Sequence, residues 1–450
     1  MPALLALLLA ANISGEKALE HASRLAALGP HPWGSPRVSL AARYVEAQFK
    51  EAGLQDVRLQ PFESHGVHGA NVLGALPGRG KEFLVVAAHH DTAPDAPGAY
   101  DDGGGVGILI ELARALAKDK ERPRSIVFAS FDGEEAWSTG KTTVAGSRAY
   151  VKSLGAESRD LVGAFVIEMS GWKGGTPAFQ ALAYADPLRQ GGSVIAPRWL
   201  VAAAARGARE AGVPFAMGDP LIPWLYQPAV RAFRGDFYGD DLAFLQAGLP
   251  AVFVSDSSFT RFYPHYHQAH DSADKLDALA LERMGRAVTG AVRTLLQAER
   301  GVSEPNWFTG FGVMLGAMPL VLLATLSVLP GLRMAFRADG RARTARLLHL
   351  LLFGFVFYRH PVPALFALLP PNLLPLLPRR SWSLGLVLLP ALLLLGLGGV
   401  AYWRGFVHGT FLSAWDQVAA ALALGLALVP LGGSFPGPRP AKFGGMKPRR

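Results

Sequence analysis

The sequence predicts an α/β domain, with a mixed and mainly parallel sheet flanked by helices, followed by an all-α transmembrane region. The α/β part is predicted by short, almost wholly apolar runs, typical of strands buried on both faces, that alternate with segments of helical periodicity. The membrane part is predicted by composition. Charged and turn residues are mixed with apolar ones up to about Arg300, whereas Leu, Val, Ala, Phe and Gly dominate from Trp307 onward.

The predicted elements follow one another in an order that implies crossover connections. Residues 29–36 form a rigid turn, rich in proline and glycine, between two amphipathic helices. The predicted strands are residues 83–88, 125–131, 163–167 and 250–254, and the predicted helices are residues 103–118, 198–211 and 273–299. Strand, helix and strand in this order are typical of parallel strands in a layered domain.

The charge and the cysteine content limit the classes of partner and of metal site. The formal net charge is +9, and much of the excess lies beside apolar segments. Because no nucleic-acid-binding signature accompanies it, membrane orientation explains this charge better than a nucleic-acid partner does. The chain has no cysteine, which excludes disulfides, thiolate zinc ligands and a cysteine nucleophile. Any metal ligands must be histidines and carboxylates.

Apolar runs in the last third of the chain predict three or four membrane spans, at about residues 308–329, 347–369, 384–402 and 418–431. Five arginines between the first two runs are expected to be cytoplasmic, which places the N-terminal domain on the extracytoplasmic side, periplasmic or luminal. A basic tail conflicts with four spans, because it would then lie outside. Either one run does not cross the membrane or the tail is an exception.

Acidic and imidazole side chains follow each predicted strand. They are His89 and Asp91 after the first strand, Asp101 before the next helix, Glu134 and Glu135 after the second strand, Glu168 after the third and His267 after the fourth. Because ligands gather at the carboxyl ends of parallel strands, these side chains are expected to converge on one site. Two imidazoles and three carboxylates suit a pair of divalent cations, and a further carboxylate can accept a proton from water.

These motifs resemble those of the M28 family of zinc peptidases, which includes aminopeptidases, glutamate carboxypeptidase relatives and glutaminyl cyclases. The motifs are AHHD at 88–91, PGAYDD at 97–102, FDGEE at 131–135, GS at 146–147, Glu168 in a slot usually held by Asp, GLPA at 248–251 and YHQAHDS at 266–272. Together, in this order and spacing, they are specific, although each alone is weak. The resemblance covers roughly residues 13–300 and implies a zinc-peptidase fold of the phosphorylase/hydrolase-like type.

The resemblance also implies the role of each residue. Two Zn²⁺ ions per chain would be bound by His89, Asp101, Glu135, Glu168 and His267. Asp101 would bridge the ions, with His89 and Glu168 on one side of it. The extra methylene of Glu168 changes the backbone distance that metal binding requires but not the chemistry of the ligand oxygen.

Two further residues have implied roles without binding metal. Glu134 would be the general base, which takes a proton from water and later passes it to the leaving amine. Asp91 would orient His89 through the other nitrogen of the imidazole ring.

Each residue alone also has an ordinary structural interpretation. A single strand-end histidine such as His89 is more often hydrogen-bonded than metal-bound. Glu134 and Glu135 could be a solvated acidic pair, and Glu168, which lies in an apolar stretch, could pair with an arginine. It is the combination that favours a metal site.

Several neighbouring residues stay ambiguous. Only the family spacing selects His267 over His265 and His270. Asp102 could simply cap the helix that follows it, and Asp271 and Ser272 could cap the final helix. Asp240 and Asp241 belong either to the rim of the pocket or to a loop. Arg231, Arg234 and Arg261 could bind a substrate carboxylate or be surface residues.

The expected function is hydrolysis of peptide substrates by a zinc-dependent aminopeptidase that is anchored in the lipid bilayer. A multi-spanning C-terminal part and the GPHPWGS turn are similar to those of the endoplasmic-reticulum and vacuolar membrane peptidases of the family. The alternatives are a glutaminyl-peptide cyclase, which is expected to use one zinc ion, a carboxypeptidase on the same scaffold, and a non-catalytic membrane receptor or scaffold. The sequence does not predict side-chain preference or oligomeric state.

The expected domain organisation has four parts. Residues 1–12 are a short apolar segment, either part of an export signal or the first turns of a helix. Residues 13–302 form the peptidase domain, residues 303–435 the multi-spanning membrane domain, and residues 436–450 the basic tail.

Overall fold

The computed structural model describes residues 13–119, 121–139, 144–180, 183–185, 193–214, 216–218, 239–256, 263–297, 308–310 and 313–315, and seven isolated helical positions between 329 and 351. The chain divides into two compact units. The first contains Met1–Ala317 and Gly398–Ser413, and the second contains Met318–Leu397 and Ala414–Arg450. All strands and helices with described bounds lie in the first unit.

The described α-helices are α1 (Gly15–Ala26), α2 (Pro36–Glu51), α3 (Gly104–Leu116), α4 (Ala145–Leu154), α5 (Arg198–Glu210), α6 (Asp241–Gln246) and α7 (Ala278–Gln297). The first two begin where the sequence provides a cap. The hydroxyl of Ser14 accepts a hydrogen bond from the backbone N–H of Lys17, and the hydroxyl of Ser35 accepts one from Val38. Pro36 supplies the first helical residue of α2, so the predicted rigid turn ends where a helix can start.

The described strands are β1 (Gln55–Ser64), β2 (Val67–Leu76), β3 (Phe83–His89), β4 (Ser125–Phe131), β5 (Leu161–Ile167), β6 (Ala178–Gln180), β7 (Ala183–Ala185), β8 (Ser193–Ile195), β9 (Ala216–Gly218), β10 (Ala251–Ser255), β11 (Phe308–Gly310) and β12 (Val313–Leu315). Eight of them form one mixed sheet in the order β1-β2-β4-β3-β5-β10-β6-β9. The centre of the sheet is parallel: β3 pairs with β4 and with β5, and β5 pairs with β10, all in the parallel direction. This confirms the predicted mixed, mainly parallel sheet flanked by helices.

The core lies on both faces of this sheet, as the apolar runs predict. In β3, Leu84 and Val86 pack into the cluster that includes residues of α1, α2, α3, α5 and α7. Val85 and Ala87 point to the opposite face, where residues of α4 and α6 are packed. All seven residues of β3 are buried. The parallel strands therefore run through the middle of the domain, and their carboxyl ends share one edge.

The hairpin of β1 and β2 is not predicted by the sequence pattern. These strands pair antiparallel around a turn at His65 and Gly66, both of which have a positive φ. The residues of β1 are exposed or half-buried, and one of them is Pro61. An edge strand tolerates proline because the backbone N–H groups on its outer side have no strand partner. An apolar run is the signal of a buried strand, so it does not reveal a polar strand at the edge of a sheet.

The predicted final helix, residues 273–299, begins too early. Residues Ala273–Lys275 form a 3₁₀ turn, and α7 starts only at Ala278. Between them Leu276 forms a β-bridge with Trp172, and the backbone N–H of Asp277 donates to the carbonyl of Gly171. These backbone groups bond to a distant loop, so they are not available for helical hydrogen bonds.

The predicted membrane region lies almost wholly outside the described residues. At the start of the first predicted span, β11 and β12 form an antiparallel pair, so the expectation of a helix is wrong for those six residues. The remaining spans and the basic tail fall outside the described part, except for the isolated helical positions. No helix within the described residues is both long enough and apolar enough to cross a bilayer.

Candidate metal centre

The predicted site residues lie at the shared edge of the parallel strands. His89 is the last residue of β3, and Glu168 directly follows β5. Glu134 and Glu135 begin a 3₁₀ turn just after β4, preceded by Gly133 with a φ of 76°. Glycine adopts this conformation readily because it has no Cβ. The positive φ allows the chain to turn sharply at the end of the strand. The predicted convergence at the strand ends is thus observed.

Asp101 is the central carboxylate of the site. Its Oδ1 lies 3.3 Å from Nε2 of His89, and its Oδ2 lies 3.1 Å from Nε2 of His267. Burial opposes ionisation of Asp101, but the hydrogen bonds and charges of these two imidazoles outweigh it and hold its pKa below the usual range. Each oxygen therefore faces a different histidine, one from β3 and one from the turn that precedes α7.

Asp101, Glu135 and His267 form a group that could hold a metal ion, because their ligand atoms all lie within 4.8 Å of one another. Nε2 of His267 is 2.8 Å from Oε1 of Glu135. Burial alone would lower the pKa of His267, but Asp101 and Glu135 raise it to about 10. Zinc lies about 2.0–2.2 Å from nitrogen and oxygen ligands, so ligand atoms at these separations can share one ion.

The His89 ring contacts Asp91 through one nitrogen and Asp101 through the other. Its Nδ1 lies 3.0 Å from the backbone carbonyl of Asp91, which can only accept, so Nδ1 carries the hydrogen in the neutral ring. The Nε2 lone pair then faces the carboxylate of Asp101. Burial opposes protonation, but Asp101 and Asp91 raise the pKa of His89 well above its usual value. The place between His89 and Asp101 attracts positive charge, and a histidine–carboxylate pair suits a zinc ion.

Asp91 contacts more than His89. Its carboxylate Oδ1 is 3.6 Å from Nδ1 of His89, farther than its backbone carbonyl is. Both carboxylate oxygens accept backbone hydrogen bonds from the acidic pair, at 3.1 Å from the N–H of Glu134 and 3.1 Å from that of Glu135. Asp91 therefore links the end of β3 to the turn that carries Glu134 and Glu135, a contact that the sequence does not reveal.

Glu134 is buried beside other carboxylates. Burial first, and then the negative charges of Glu168 and Glu135, raise the pKa of Glu134 well above its usual value. The negative charge of the buried Asp240 also raises the pKa of Glu134. A carboxylate in such surroundings has an increased affinity for a proton, which is the property that a general base needs.

Glu168 lies outside the group of three but belongs to the same acidic cluster. Its Oε1 accepts a hydrogen bond of 3.0 Å from the backbone N–H of Asp240. Burial raises the pKa of Glu168 well above its usual value, and the charges of Asp240 and Asp102 add to the shift. A Cβ on Gly239 would lie 2.7 Å from Oε1 of Glu168, so a larger residue at 239 would require this carboxylate to shift. Asp240 is thus part of the site, and burial raises its pKa to about 7.

The turn before α7 separates the three histidines that the sequence leaves ambiguous. His267 reaches the carboxylates and has a φ of 57°. His270 is exposed, and its ring centroid lies 6.1 Å from that of His265. The ring of Tyr266 stacks on His267 with a centroid distance of 3.6 Å. The structure therefore brings His267 into the group, and neither His265 nor His270.

Asp102 and Asp271, for which the sequence suggests helix capping, make contacts near the site. The carboxylate of Asp102 does accept the N–H of Gly105 at 3.1 Å, as a cap would, but it also lies 3.4 Å from the backbone N of His89. Asp271 does not cap the final helix: its carboxylate accepts the backbone N–H groups of Tyr100 and Asp101. Its position four residues after His267, in the same motif, is the signal that could have indicated a role at the site. The three arginines considered as carboxylate ligands lie outside the described residues.

The sequence comparisons point to one family. Residues 71–292 match the model described as peptidase family M28. Leucine aminopeptidase 1 of Fusarium vanettenii is 26% identical over 273 residues, which cover 55% of this chain and 60% of the relative. Leucine aminopeptidase 1 of Metarhizium robertsii is 26% identical over 253 residues, covering 54% and 59%. The chain thus spans about 60% of the length of these curated relatives.

Solved structures share the fold. An aminopeptidase from Aneurinibacillus sp. strain AM-1 has a TM-score of 0.52 and 18% identity, covering 66% of this chain and 98% of that one. The glutaminyl cyclase of Fimbriiglobus ruber has a TM-score of 0.51 and 22% identity, covering 64% and 96%. At such identities the likeness concerns the fold alone. The family model, the predicted motifs and the group of three all fall within residues 71–292, and this part of the chain is identified as a domain of peptidase family M28.

Proposed function

We propose that this chain is a zinc-dependent aminopeptidase whose centre binds two zinc ions through the five ligands that the motifs indicate. The observation that carries this proposal is the position of Asp101, with one carboxylate oxygen facing His89 and the other facing His267. A carboxylate between two imidazoles is the arrangement that a bridging ligand requires. Glu135 completes the His267 side, and Glu168 is proposed to complete the His89 side.

Glu134 is proposed as the general base. Zinc bound at such a site supplies Lewis-acid polarisation of the scissile carbonyl and makes water more acidic. The carboxylate of Glu134 takes a proton from the attacking water and later delivers it to the leaving amine. Asp91 accepts hydrogen bonds from the backbone N–H groups of Glu134 and Glu135. These two bonds fix the position of the general base relative to the neighbouring metal ligand.

Charge favours a substrate with a free N-terminus. Six carboxyl groups of the cluster are buried, namely Asp101, Asp102, Glu134, Glu135, Glu168 and Asp240. With all six ionised, as bound cations favour, they carry six negative charges against the four positive charges of two zinc ions, which leaves an excess of two negative charges. Such a site attracts the ammonium group of an N-terminus and repels a C-terminal carboxylate. This supports an aminopeptidase over a carboxypeptidase on the same scaffold, in line with the names of the curated relatives.

A matched set of peptides tests this proposal. We expect the purified full chain to hydrolyse a peptide with a free N-terminus, and blocking the N-terminus by acetylation to slow hydrolysis by about 10⁴-fold, because the buried carboxylates then lose their charged partner. Amidation of the C-terminus should have little effect. A chelator should abolish hydrolysis and zinc should restore it.

The opposite result would assign the chain to one of the alternatives. Loss of hydrolysis on amidation, but not on acetylation, would indicate a carboxypeptidase. Cyclisation of an N-terminal glutamine with one zinc ion per chain would indicate a glutaminyl-peptide cyclase. Zinc binding without turnover of any peptide would support the receptor or scaffold interpretation.

We also propose that the chain is a multi-pass membrane protein with the peptidase domain, residues 13–302, outside the cytoplasm. The apolar composition after Trp307 and the arginines between the first two apolar runs support this. Because the chain has no cysteine, single cysteines can be introduced as reporters. A membrane-impermeant thiol reagent that reaches only the extracytoplasmic side of the membrane should label Glu157→Cys, at an exposed position of the peptidase domain. Ala342→Cys should be labelled only after permeabilisation, and the reverse pattern would invert the topology.

A further inference from the structure

One residue makes hydrogen bonds to three consecutive backbone N–H groups of the segment that carries Asp101. The backbone carbonyl of Asp271 accepts from Ala99 at 3.1 Å. Its carboxylate Oδ1 accepts from Tyr100 at 2.9 Å, and its Oδ2 accepts from Asp101 at 3.2 Å. Asp271 is fully buried. A buried carboxylate that takes several backbone hydrogen bonds from one segment fixes the position of that segment.

This segment needs such support because it is not regular. Residues Ala99–Gly103 form a short helical turn, but Asp101 and Asp102 have non-helical backbone angles within it. Its N–H groups therefore lack the regular pattern of intrahelical partners. Asp271 supplies acceptors for three of them, so the backbone that carries the central carboxylate is held from a distant part of the chain.

The same turn that contains Asp271 also carries His267. The backbone N–H of Asp271 donates to the carbonyl of Gln268 at 2.9 Å, and that of Gln268 donates to His265 at 3.1 Å, which closes a compact turn around His267. Asp271 thus joins two structures: the turn that positions His267 and the segment that positions Asp101. The 3.1 Å separation of the two side chains depends on both.

We infer that Asp271 is a positioning residue that holds Asp101 and His267 at the separation needed to bind one zinc ion. This inference rests on the proposed function for the identity of the metal. Both carboxylate oxygens of Asp271 accept backbone hydrogen bonds from the Asp101 segment, so Asp271 acts through Asp101 rather than as a ligand. Loss of a hydrogen-bonding partner of metal ligands typically lowers metal affinity about 10- to 100-fold, and a loss in this range is expected when Asp271 no longer accepts both N–H groups.

The test compares two variants of the full chain. Asp271→Asn keeps the shape of the side chain but replaces one acceptor oxygen with an NH₂ group, which opposes a backbone N–H. Tyr263→Phe is the matched control, because it removes only the hydroxyl that donates to Asp271 at 3.0 Å and leaves the backbone hydrogen bonds intact. Zinc affinity is measured by competition with a chromophoric chelator, and the geometry of the centre by the visible absorption of the Co²⁺-loaded protein.

We expect Asp271→Asn to bind zinc about 10- to 100-fold more weakly and to change the Co²⁺ spectrum, and Tyr263→Phe to bind zinc within about threefold of the wild type. Unchanged affinity and spectrum in folded Asp271→Asn, or equal losses in both variants, would overturn the inference. If Asp271→Asn does not fold, Asp271→Glu takes its place. It keeps both acceptors but displaces them by a methylene, and it should also weaken zinc binding. A wild type that binds no zinc would instead reject the proposed function.

Discussion

Replacing Glu134 with glutamine is expected to reduce peptide hydrolysis by about 10²- to 10⁴-fold, the contribution typical of a general base. The amide has nearly the same shape as the carboxylate but cannot accept the proton of water at neutral pH. Its backbone N–H still donates to Asp91, so the turn after β4 should keep its conformation. The measurement is the initial rate of hydrolysis of a free N-terminal peptide at saturating zinc.

The control for this variant is Glu157→Gln, which makes the same chemical change at an exposed position away from the site. It should hydrolyse the peptide at the wild-type rate. Zinc content must also be compared, because a loss of metal from the Glu134 variant would assign the defect to binding. A Glu134→Gln variant with normal zinc content and undiminished hydrolysis would refute the proposed role of Glu134.

Replacing His267 with alanine is expected to lower zinc affinity by more than about 100-fold. Loss of a residue that only hydrogen-bonds to a metal ligand typically costs up to about 100-fold, and loss of a ligand itself should cost more. His267 contributes the imidazole nitrogen of the group of three, 2.8 Å from Glu135 and 3.1 Å from Asp101. Without it, two buried carboxylates remain close together without their histidine partner, which also destabilises the folded state. Zinc affinity is measured by chelator competition and zinc content by atomic absorption.

Thermal unfolding provides a second measurement of the same change. At a zinc concentration 100 times the Kd, binding to the folded state stabilises the wild type by about 2.7 kcal/mol, so its Tm should rise on addition of zinc. His267→Ala should show no such rise at that concentration. His270→Ala is the control, because His270 is exposed and outside the group of three. Loss of zinc binding in His270→Ala, with normal binding in His267→Ala, would show that the assignment of the ligand is wrong.

The central elements of the fold are predictable from sequence because they are buried on both faces. In β3 and β4 the apolar runs match the observed strands closely, and the helices α3 and α5 differ from the predicted bounds by a few residues. The edge hairpin and the start of α7 are not predictable in this way. Their positions depend on partners that are distant in the chain, such as Trp172 for Leu276.

The sequence by itself determined which chemical groups are present and that they follow the ends of parallel strands. From that placement alone, convergence of His89, Glu134 and Glu168 on one edge is expected, because parallel strands deliver their carboxyl ends to the same side. The absence of cysteine also limits the ligands to imidazoles and carboxylates.

Only the tertiary structure decided the relations between these groups. It selected His267 from three histidines, because the conformation of the turn before α7 carries that ring to Glu135. It showed that Asp271 holds the segment of Asp101 rather than capping a helix. Such hydrogen bonds join residues about 170 positions apart and depend on separations of about 3 Å. A linear pattern carries no distances between remote residues, so it can name these side chains but cannot show which backbone groups they hold.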